Sequence, residues 1–262
     1  MMIPPPDDFS GPIYRDAQRY DAEHWWKTDD IMFWQRMAGR YGPKVLELAC
    51  GTGRLAPGML EAGGSYTGVD ASQPFLQLAQ SKLSPWGNKV RLLHGDMRDL
   101  ALKETFDLIG IGFNAFLHLL TDEDALRALR TVISHCHPET RLVIDIFIPD
   151  PIFLYRPVDQ RVDSMTYVDP KNGETVKVTE TNDYNPESGQ NKITWYYSLP
   201  GKPDFLVYDF TMRMLYPDTM DRLLSEAGFR IEAKWGDYEE TPMDAESALQ
   251  IYVATPAQAV GA

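Results

Sequence analysis

A glycine turn between a strand and a helix constrains this chain more than any other feature. Residues 45–56 read VLELACGTGRLA, an apolar run followed by Gly-x-Gly-x-x-Ala and then by helix-forming residues. A buried strand that feeds such a turn is typical of parallel α/β sheets that hold a nucleotide-like cofactor at the carboxyl end of the strand. The turn alone leaves the cofactor open, because dinucleotide sites use the same glycine spacing.

The residues around this turn continue an α/β pattern. Between residues 44 and 150, short apolar runs alternate with helical segments, which predicts a mostly parallel sheet with helices on both faces. Ser72 and Thr121 precede two of these segments and are predicted to be helix N-caps. The pattern resumes with a helix that begins at Pro217 and two closing strands. We therefore assign residues 44–150 and 213–256 to one core.

Two segments differ from that core. Residues 151–212 hold alternating runs rich in Val, Thr, Tyr and Trp, separated by the turn signals DPKNG, NPESG and LPGKP. This predicts an inserted antiparallel β-meander, which would serve as a substrate lid or a dimer surface. Residues 1–43 are rich in aromatic side chains, and residues 17–39 are predicted to be helical. We expect residues 1–43 to form a cap over the cofactor site.

Composition and charge exclude several classes of partner. The chain has 25 basic and 38 acidic side chains, so its net charge is −13. Such a surface repels nucleic acid and anionic membranes, and we expect neither as a partner. The two cysteines make no disulfide framework, no residue spacing suggests a metal site, and no apolar run is long enough to span a membrane. With no signal-like start, the sequence predicts a cytoplasmic protein.

Three further features bear on which cofactor binds. Asp70 lies 70 − 51 = 19 residues after Gly51, where a carboxylate accepts both ribose hydroxyls of a nucleoside. Glu47 lies inside the first strand, and Ala49-Cys50 replaces the first glycine of a dinucleotide turn, which favours a ligand with an ammonium group. HGDMRDL follows the third strand, so Asp96 could accept from an adenine amine.

In this order and spacing, VLELACGTGR, YTGVDAS, HGDMRDL and GFNAFLHLL resemble the class I S-adenosylmethionine-dependent methyltransferases, over about residues 14–254. The resemblance implies a Rossmann-like α/β fold with sheet order 3-2-1-4-5-7-6 and an antiparallel last strand. The chain is also similar to the small-molecule branch that includes sugar-amine N,N-dimethyltransferases. That branch shares the GDMRD segment, an aromatic YD near the N-terminus and a β-insertion after the fifth strand.

The resemblance and the motif chemistry together assign site residues. Gly51 and Gly53 are expected to let the backbone approach the methionine part of the cofactor. His24 stands where relatives usually carry a second aromatic residue. The expected S-adenosylmethionine-binding residues are Tyr20, His24, Glu47, Ala49, Gly51, Gly53, Asp70, Ala71, Asp96, Met97, Gly112 and Phe113.

A histidine after the fourth strand is the candidate catalytic residue. His118 falls on the loop that leaves this strand, where parallel sheets place ligands, and the pKa of an unperturbed histidine suits proton transfer near neutrality. The aromatic and basic residues of the insertion and its end are candidate substrate contacts: Trp195, Tyr197, Arg213 and Tyr216.

The sequence thus predicts in-line methyl transfer from S-adenosylmethionine to a small-molecule acceptor. Resemblance to the sugar-amine enzymes favours an amine, while methylation at oxygen or carbon stays open. Two other classes also stay open: an S-adenosylmethionine-binding protein without catalysis, and an NAD-dependent oxidoreductase. The expected assembly is a monomer or a homodimer.

Overall fold

Two β-sheets organise residues 12–257, the part of the chain that the computed structural model describes. The strands are β1 (Lys44–Leu48), β2 (Ser65–Asp70), β3 (Val90–His94), β4 (Phe106–Ile111), β5 (Cys136–Phe147), β6 (Val162–Val168), β7 (Thr175–Asn185), β8 (Gln190–Leu199), β9 (Lys202–Arg213), β10 (Phe229–Trp235) and β11 (Leu249–Pro256). The α-helices are α1 (Ala17–Glu23), α2 (Ile31–Tyr41), α3 (Ala56–Glu61), α4 (Gln73–Leu83), α5 (Asp122–Ile133), α6 (Pro151–Leu154) and α7 (Pro217–Glu226).

The larger sheet has seven strands in the order β3-β2-β1-β4-β5-β11-β10. Neighbours from β3 to β5 pair in parallel, whereas β11 is antiparallel to both β5 and β10. Because β10 and β11 are the sixth and seventh strands of this sheet along the chain, the order is 3-2-1-4-5-7-6. The predicted fold class, with its antiparallel last strand, is confirmed.

Burial explains why the central strands read as continuous apolar runs. Val45 packs in a cluster with residues of α2 and α3, while Leu46 and Leu48 pack in the opposite cluster with residues of α5 and α7. A parallel sheet covered on both faces needs apolar side chains in both directions. The predicted N-caps are also confirmed, since Ser72 Oγ accepts from the Phe75 amide and Thr121 Oγ1 from the Asp124 amide.

The second sheet is an antiparallel meander in the order β6-β7-β8-β9. Its side chains alternate between the two faces along β8: Trp195 and Tyr197 are buried, and Tyr196 between them is partly exposed. The buried face packs against the same cluster of residues that covers β1 and β4. The meander therefore lies against the core through one apolar face and exposes the other.

The N-terminal segment is not one helix as predicted. A 3₁₀ turn (Pro12–Arg15) precedes α1, which ends at Glu23, and α2 begins only at Ile31. At the end of the break, directly before α2, the buried carboxylate of Asp30 accepts two hydrogen bonds from Arg54 at 2.6 and 2.7 Å, which fix the chain there. Residues 1–11 of the expected 1–43 cap lie outside the described residues. Within residues 12–257 no helix is long and apolar enough to cross a membrane.

Candidate active site

A cavity of about 610 Å³ opens beyond the carboxyl ends of β1, β2, β3 and β4. Segments from α1, the turn before it and β9 complete its walls. Ligands of open α/β sheets bind at this edge, where the strand order reverses, and the volume suits a small molecule. Every residue predicted from sequence to hold the cofactor lines the cavity, except Gly53.

The two glycines of the turn have different functions. Gly51 has φ +58°, and a Cβ built on it would meet only Phe75 at 3.9 Å, so its backbone faces open space in the cavity. Gly53 has φ +74°, and its Cβ would lie 2.9 Å from Leu83 Cδ1 on α4. Gly53 was expected to face the cofactor, but it is not among the residues that line the cavity. Its missing side chain lets α4 pack against the turn.

Glu47 presents a buried carboxyl group to the cavity. The Tyr66 hydroxyl donates to Glu47 Oε2 at 2.5 Å. Burial raises the pKa of Glu47 to about 8, although Tyr66 and the nearby Arg54 act to lower it. The group is therefore largely protonated at neutral pH, and a cation placed beside it would favour its ionised form.

Asp70 is held by the backbone at the end of β2. Its Oδ2 accepts from the Gly51 amide and its Oδ1 from the Ser72 amide, both at 2.7 Å. Burial raises the pKa of Asp70, and these two hydrogen bonds oppose the rise. Ser72 also donates through Oγ to the Tyr14 carbonyl at 2.7 Å, which ties the N-terminal turn to the start of α4.

The wall after β3 contains Asp96 and Met97, as expected, but Asp96 has a partner that the sequence did not reveal. The Arg98 guanidinium donates to both carboxylate oxygens of Asp96 and also to Asp124 at 2.7 Å. The Ala71 carbonyl forms a 2.9 Å hydrogen bond with His94, which fixes the loop after β2. These hydrogen bonds hold the polar loops after β2 and β3 in place.

A buried carboxylate fixes the backbone after β4. Phe113 has φ +51°, uncommon for a residue with a large side chain, and its amide donates to Asp145 Oδ1 at 2.5 Å. The Tyr238 hydroxyl donates to the other Asp145 oxygen at 2.6 Å, and Lys27 donates to Tyr238 at 3.2 Å. Burial raises the pKa of Asp145 to about 6. Strain of this kind persists where surrounding contacts enforce it, often at functional sites.

His118 faces the cavity from the 3₁₀ turn Ala115–His118. Its Nε2 is hydrogen-bonded to the Tyr14 hydroxyl at 2.8 Å. Burial lowers the pKa of His118 to about 4, and a backbone hydrogen bond at Thr211 only partly opposes this. The imidazole is therefore neutral at physiological pH.

Aromatic rings that contact one another line one side of the cavity. The Tyr20 ring lies 4.2 Å from His24 and 4.8 Å from Phe75 between centroids, and His24 meets Phe113 edge-on at 5.3 Å. Burial lowers the pKa of His24 to about 4, so this residue is a neutral ring in the place where relatives usually carry an aromatic one.

None of the four candidate substrate residues, Trp195, Tyr197, Arg213 and Tyr216, lines the cavity. Trp195 packs behind His24 and Tyr197 is fully buried against α1. Arg213 Nη2 binds Asp122 at 2.5 Å, and Tyr216 is exposed at the start of α7. The insertion contributes Phe210 and Thr211 of β9 instead.

Several cavity residues were not predicted from the sequence, because their positions depend on long-range packing. Tyr14 and Phe210 reach the cavity from segments that lie far apart in the sequence. Phe75 lies in the first turn of α4, 75 − 70 = 5 residues after the expected ribose-binding acid, and that position was an available signal. Arg54 follows the glycine turn directly, but nothing in the sequence links it to its partner Asp30.

Known proteins that resemble this chain in sequence are methyltransferases. Residues 45–139 match a family described as a methyltransferase domain. Glycine/sarcosine N-methyltransferase from Aphanothece halophytica is 27% identical over 92% of this chain and 92% of that protein. The dTDP-3-amino-3,6-dideoxy-alpha-D-glucopyranose N,N-dimethyltransferase from Streptomyces fradiae is 29% identical over 54% of this chain and 55% of that protein. Other curated relatives match over only about two fifths of their own length.

Solved structures share the fold. The CcbJ methyltransferase from Streptomyces caelestis matches with a TM-score of 0.77 and 20% identity, over 93% of this chain and 99% of that chain. The methyltransferase-domain match and the named relatives support an S-adenosylmethionine-dependent methyltransferase, as the motifs predicted. Within that class the chain is similar to small-molecule and sugar N-methyltransferases, which is the predicted branch.

Proposed function

We propose that this enzyme methylates an amine nitrogen of a small molecule. The observation that carries the proposal is the His118 imidazole at the cavity wall, which is hydrogen-bonded to the Tyr14 hydroxyl at 2.8 Å. Burial lowers the pKa of His118 to about 4, which makes it a weak base. A weak base suits an acceptor that already carries a lone pair, as a neutral amine does, better than a hydroxyl that must first lose its proton. The two relatives described above act on nitrogen by name, which supports the same acceptor.

We assign the inner part of the cavity to the cofactor. S-adenosylmethionine supplies a methyl group on a positively charged sulfur, which makes that carbon open to attack by a lone pair. Glu47 would pair with the ammonium group of its methionine part, and Asp70 would accept from the ribose hydroxyls. Met97 would pack on the adenine, with Asp96 accepting from its amine while shared with Arg98. The open backbone at Gly51 and the buried acid at Glu47 both fit this ligand.

The outer part of the cavity would hold the acceptor. Tyr14 and His118 form a hydrogen-bonded pair there, so an amine proton can pass to the Tyr14 oxygen while the hydroxyl proton moves to His118 Nε2. Phe113, held by Asp145, would wall the reacting methyl group, and the contacting aromatic rings would exclude water. Aligning two reactants in this way lowers a barrier by ~7–11 kcal/mol. The cap (residues 1–43) and the insertion (residues 151–212) would act as covers.

A panel of small amines, phenols and carboxylic acids tests the proposal. The purified enzyme is incubated with S-adenosylmethionine, and fragmentation mass spectrometry locates the added methyl group. We expect N-methylated products, and we expect His118→Ala to lower kcat by roughly 100-fold with little change in cofactor affinity. Lys103→Ala serves as a control on an exposed residue outside the cavity. Methylation only at oxygen or carbon would refute the amine acceptor, and normal turnover of His118→Ala would refute the role of His118.

A further inference from the structure

We infer that the acceptor carries its amine on an uncharged, largely apolar body, and that the site discriminates against acceptors bearing a carboxylate or a phosphate. The inference rests on the proposed amine methylation and names the substrate class of the same site. It goes against the chemistry in the names of the relatives, since glycine carries a carboxylate and the sugar substrate carries a nucleoside diphosphate.

The acceptor end of the cavity is apolar. The residues that line it beyond Phe113 include Ala115, Leu119 and Leu120 after β4, and Phe210 on β9. Phe210 meets the ring of Trp195 edge-on at 5.1 Å between centroids, and Leu119 is buried, so these residues form a packed wall. A wall of this kind stabilises a hydrocarbon or aromatic group through burial and offers nothing to a charged one.

The polar groups at this end are neutral. Burial lowers the pKa of His118 to about 4 and raises the pKa of Tyr14 well above its ordinary value. Each group therefore keeps its uncharged form at physiological pH. Thr211 adds an uncharged side chain. These groups can orient an amine by hydrogen bonds, but they cannot neutralise an anion.

The basic residues of the cavity all carry acidic partners, and none of them comes from the loop after β4 or from β9, which line the outer end. Among the described residues that line the cavity, these are Lys27, Arg54 and Lys82. Their nitrogen atoms lie 2.6–2.8 Å from acidic oxygens, those of Asp29, Asp30 and Asp21 respectively. An acceptor carboxylate at the outer end would leave water without gaining a cation. An unpaired buried charge is expensive, and this cost is the basis of the discrimination.

The same apolar wall favours the reactive form of an amine. Desolvation disfavours an ammonium ion and lowers the pKa of an amine that enters the site. The nitrogen lone pair is then available for transfer. A carboxylate on the acceptor would counteract this effect, because a nearby negative charge stabilises the ammonium form.

Matched acceptors that differ only by a carboxylate test the inference. Tyramine and tyrosine share an amine and a phenol, and tryptamine and tryptophan form a second pair. We measure kcat/KM for each from S-adenosylhomocysteine release, and locate the methyl group by fragmentation. We expect the decarboxylated member of a pair to react at least about 100-fold faster. Equal rates within a pair, or a faster reaction of the amino acid, would overturn the inference.

The position of the methyl group separates the two proposals. A methyl group on the phenolic oxygen of tyramine would refute amine methylation, while the ratio within the pair would still report on the carboxylate. N-methylation of tyrosine at the rate of tyramine would leave amine methylation intact and refute only the apolar acceptor.

A change of charge in the wall gives a second, independent measurement. Leu120 lines the cavity and is only partly buried, so it can carry a longer side chain. We expect Leu120→Arg to reduce the preference for tyramine over tyrosine by about tenfold or more, because the guanidinium pairs with the carboxylate. Leu120→Gln is the uncharged control and should keep the wild-type ratio. An unchanged ratio in a folded Leu120→Arg enzyme would contradict the inference.

Discussion

Binding of S-adenosylmethionine should release a proton from Glu47. The pKa of this buried carboxyl is about 8 in the ligand-free enzyme. At pH 6.5 about 97% of the molecules therefore carry the proton, whereas the ligand ammonium, with an ordinary pKa near 7.8, is charged. A cation placed beside Glu47 stabilises the carboxylate, so binding and deprotonation are linked. Because only the ionised form pairs with the ligand, cofactor affinity should rise about tenfold per pH unit between pH 6 and 7.

Isothermal titration calorimetry measures this proton directly. The same titration at pH 6.5 in phosphate and in imidazole gives different heats when a proton passes to the buffer, and the difference counts the protons. We expect about one proton per bound cofactor in the wild type and none in Glu47→Gln, whose affinity should also fall by about tenfold or more. Glu23→Gln is a matched control, since burial also raises the pKa of Glu23 to about 8 but this residue does not line the cavity. Equal heats in both buffers, or a release that persists in Glu47→Gln, would refute the assignment.

Two further predictions concern stability. Gly53→Ala should lower the free energy of unfolding by about 1–2 kcal/mol from its positive φ and by about 1–3 kcal/mol more from its collision with α4. Gly173→Ala, with φ +75° and open space around its Cβ, should show only the first loss in urea unfolding, and equal losses would contradict the packing role of Gly53. Folding raises the pKa of Glu23 from 4.5 to about 8, so its contribution to stability is largest below pH 4.5 and is lost as pH rises towards 8. Relative to Glu23→Gln, the wild type should lose roughly 3 kcal/mol between pH 5 and 8, and parallel unfolding curves across that range would contradict this.

Local chemistry made the fold and the inner part of the site predictable. The glycine turn, the acid at the end of β2 and the side-chain caps Ser72 and Thr121 depend on residues close in sequence, and each leaves a recognisable pattern. Alternation of apolar and polar residues likewise predicted the antiparallel meander. The order of these elements along the chain matched the family that the motifs resemble, and that resemblance predicted the strand order of the larger sheet.

The outer part of the site depends on contacts between distant residues. Tyr14 and His118 meet across 104 positions, and the partners Arg54 and Asp30 come from separate segments. Gly53 matched a motif at the expected spacing, yet its side-chain space is filled by α4. Arg213 had the right chemistry for a substrate contact, but Asp122 pairs with it instead. Sequence spacing carries no information about such competition between partners.

Four residues connect the two ends of the cavity. Asp70 accepts from the Ser72 amide, Ser72 donates to the Tyr14 carbonyl, and the Tyr14 hydroxyl reaches His118. A ribose bound to Asp70 would restrict the motion of the turn that carries Tyr14, because Ser72 is hydrogen-bonded to both. An acceptor bound at His118 would in turn restrict the motion of Tyr14, Ser72 and Asp70. Thermodynamic linkage makes the effect on affinity reciprocal. The factor by which the cofactor raises acceptor affinity equals the factor by which the acceptor raises cofactor affinity. An enzyme connected in this way would favour the complete ternary complex over either half-filled state.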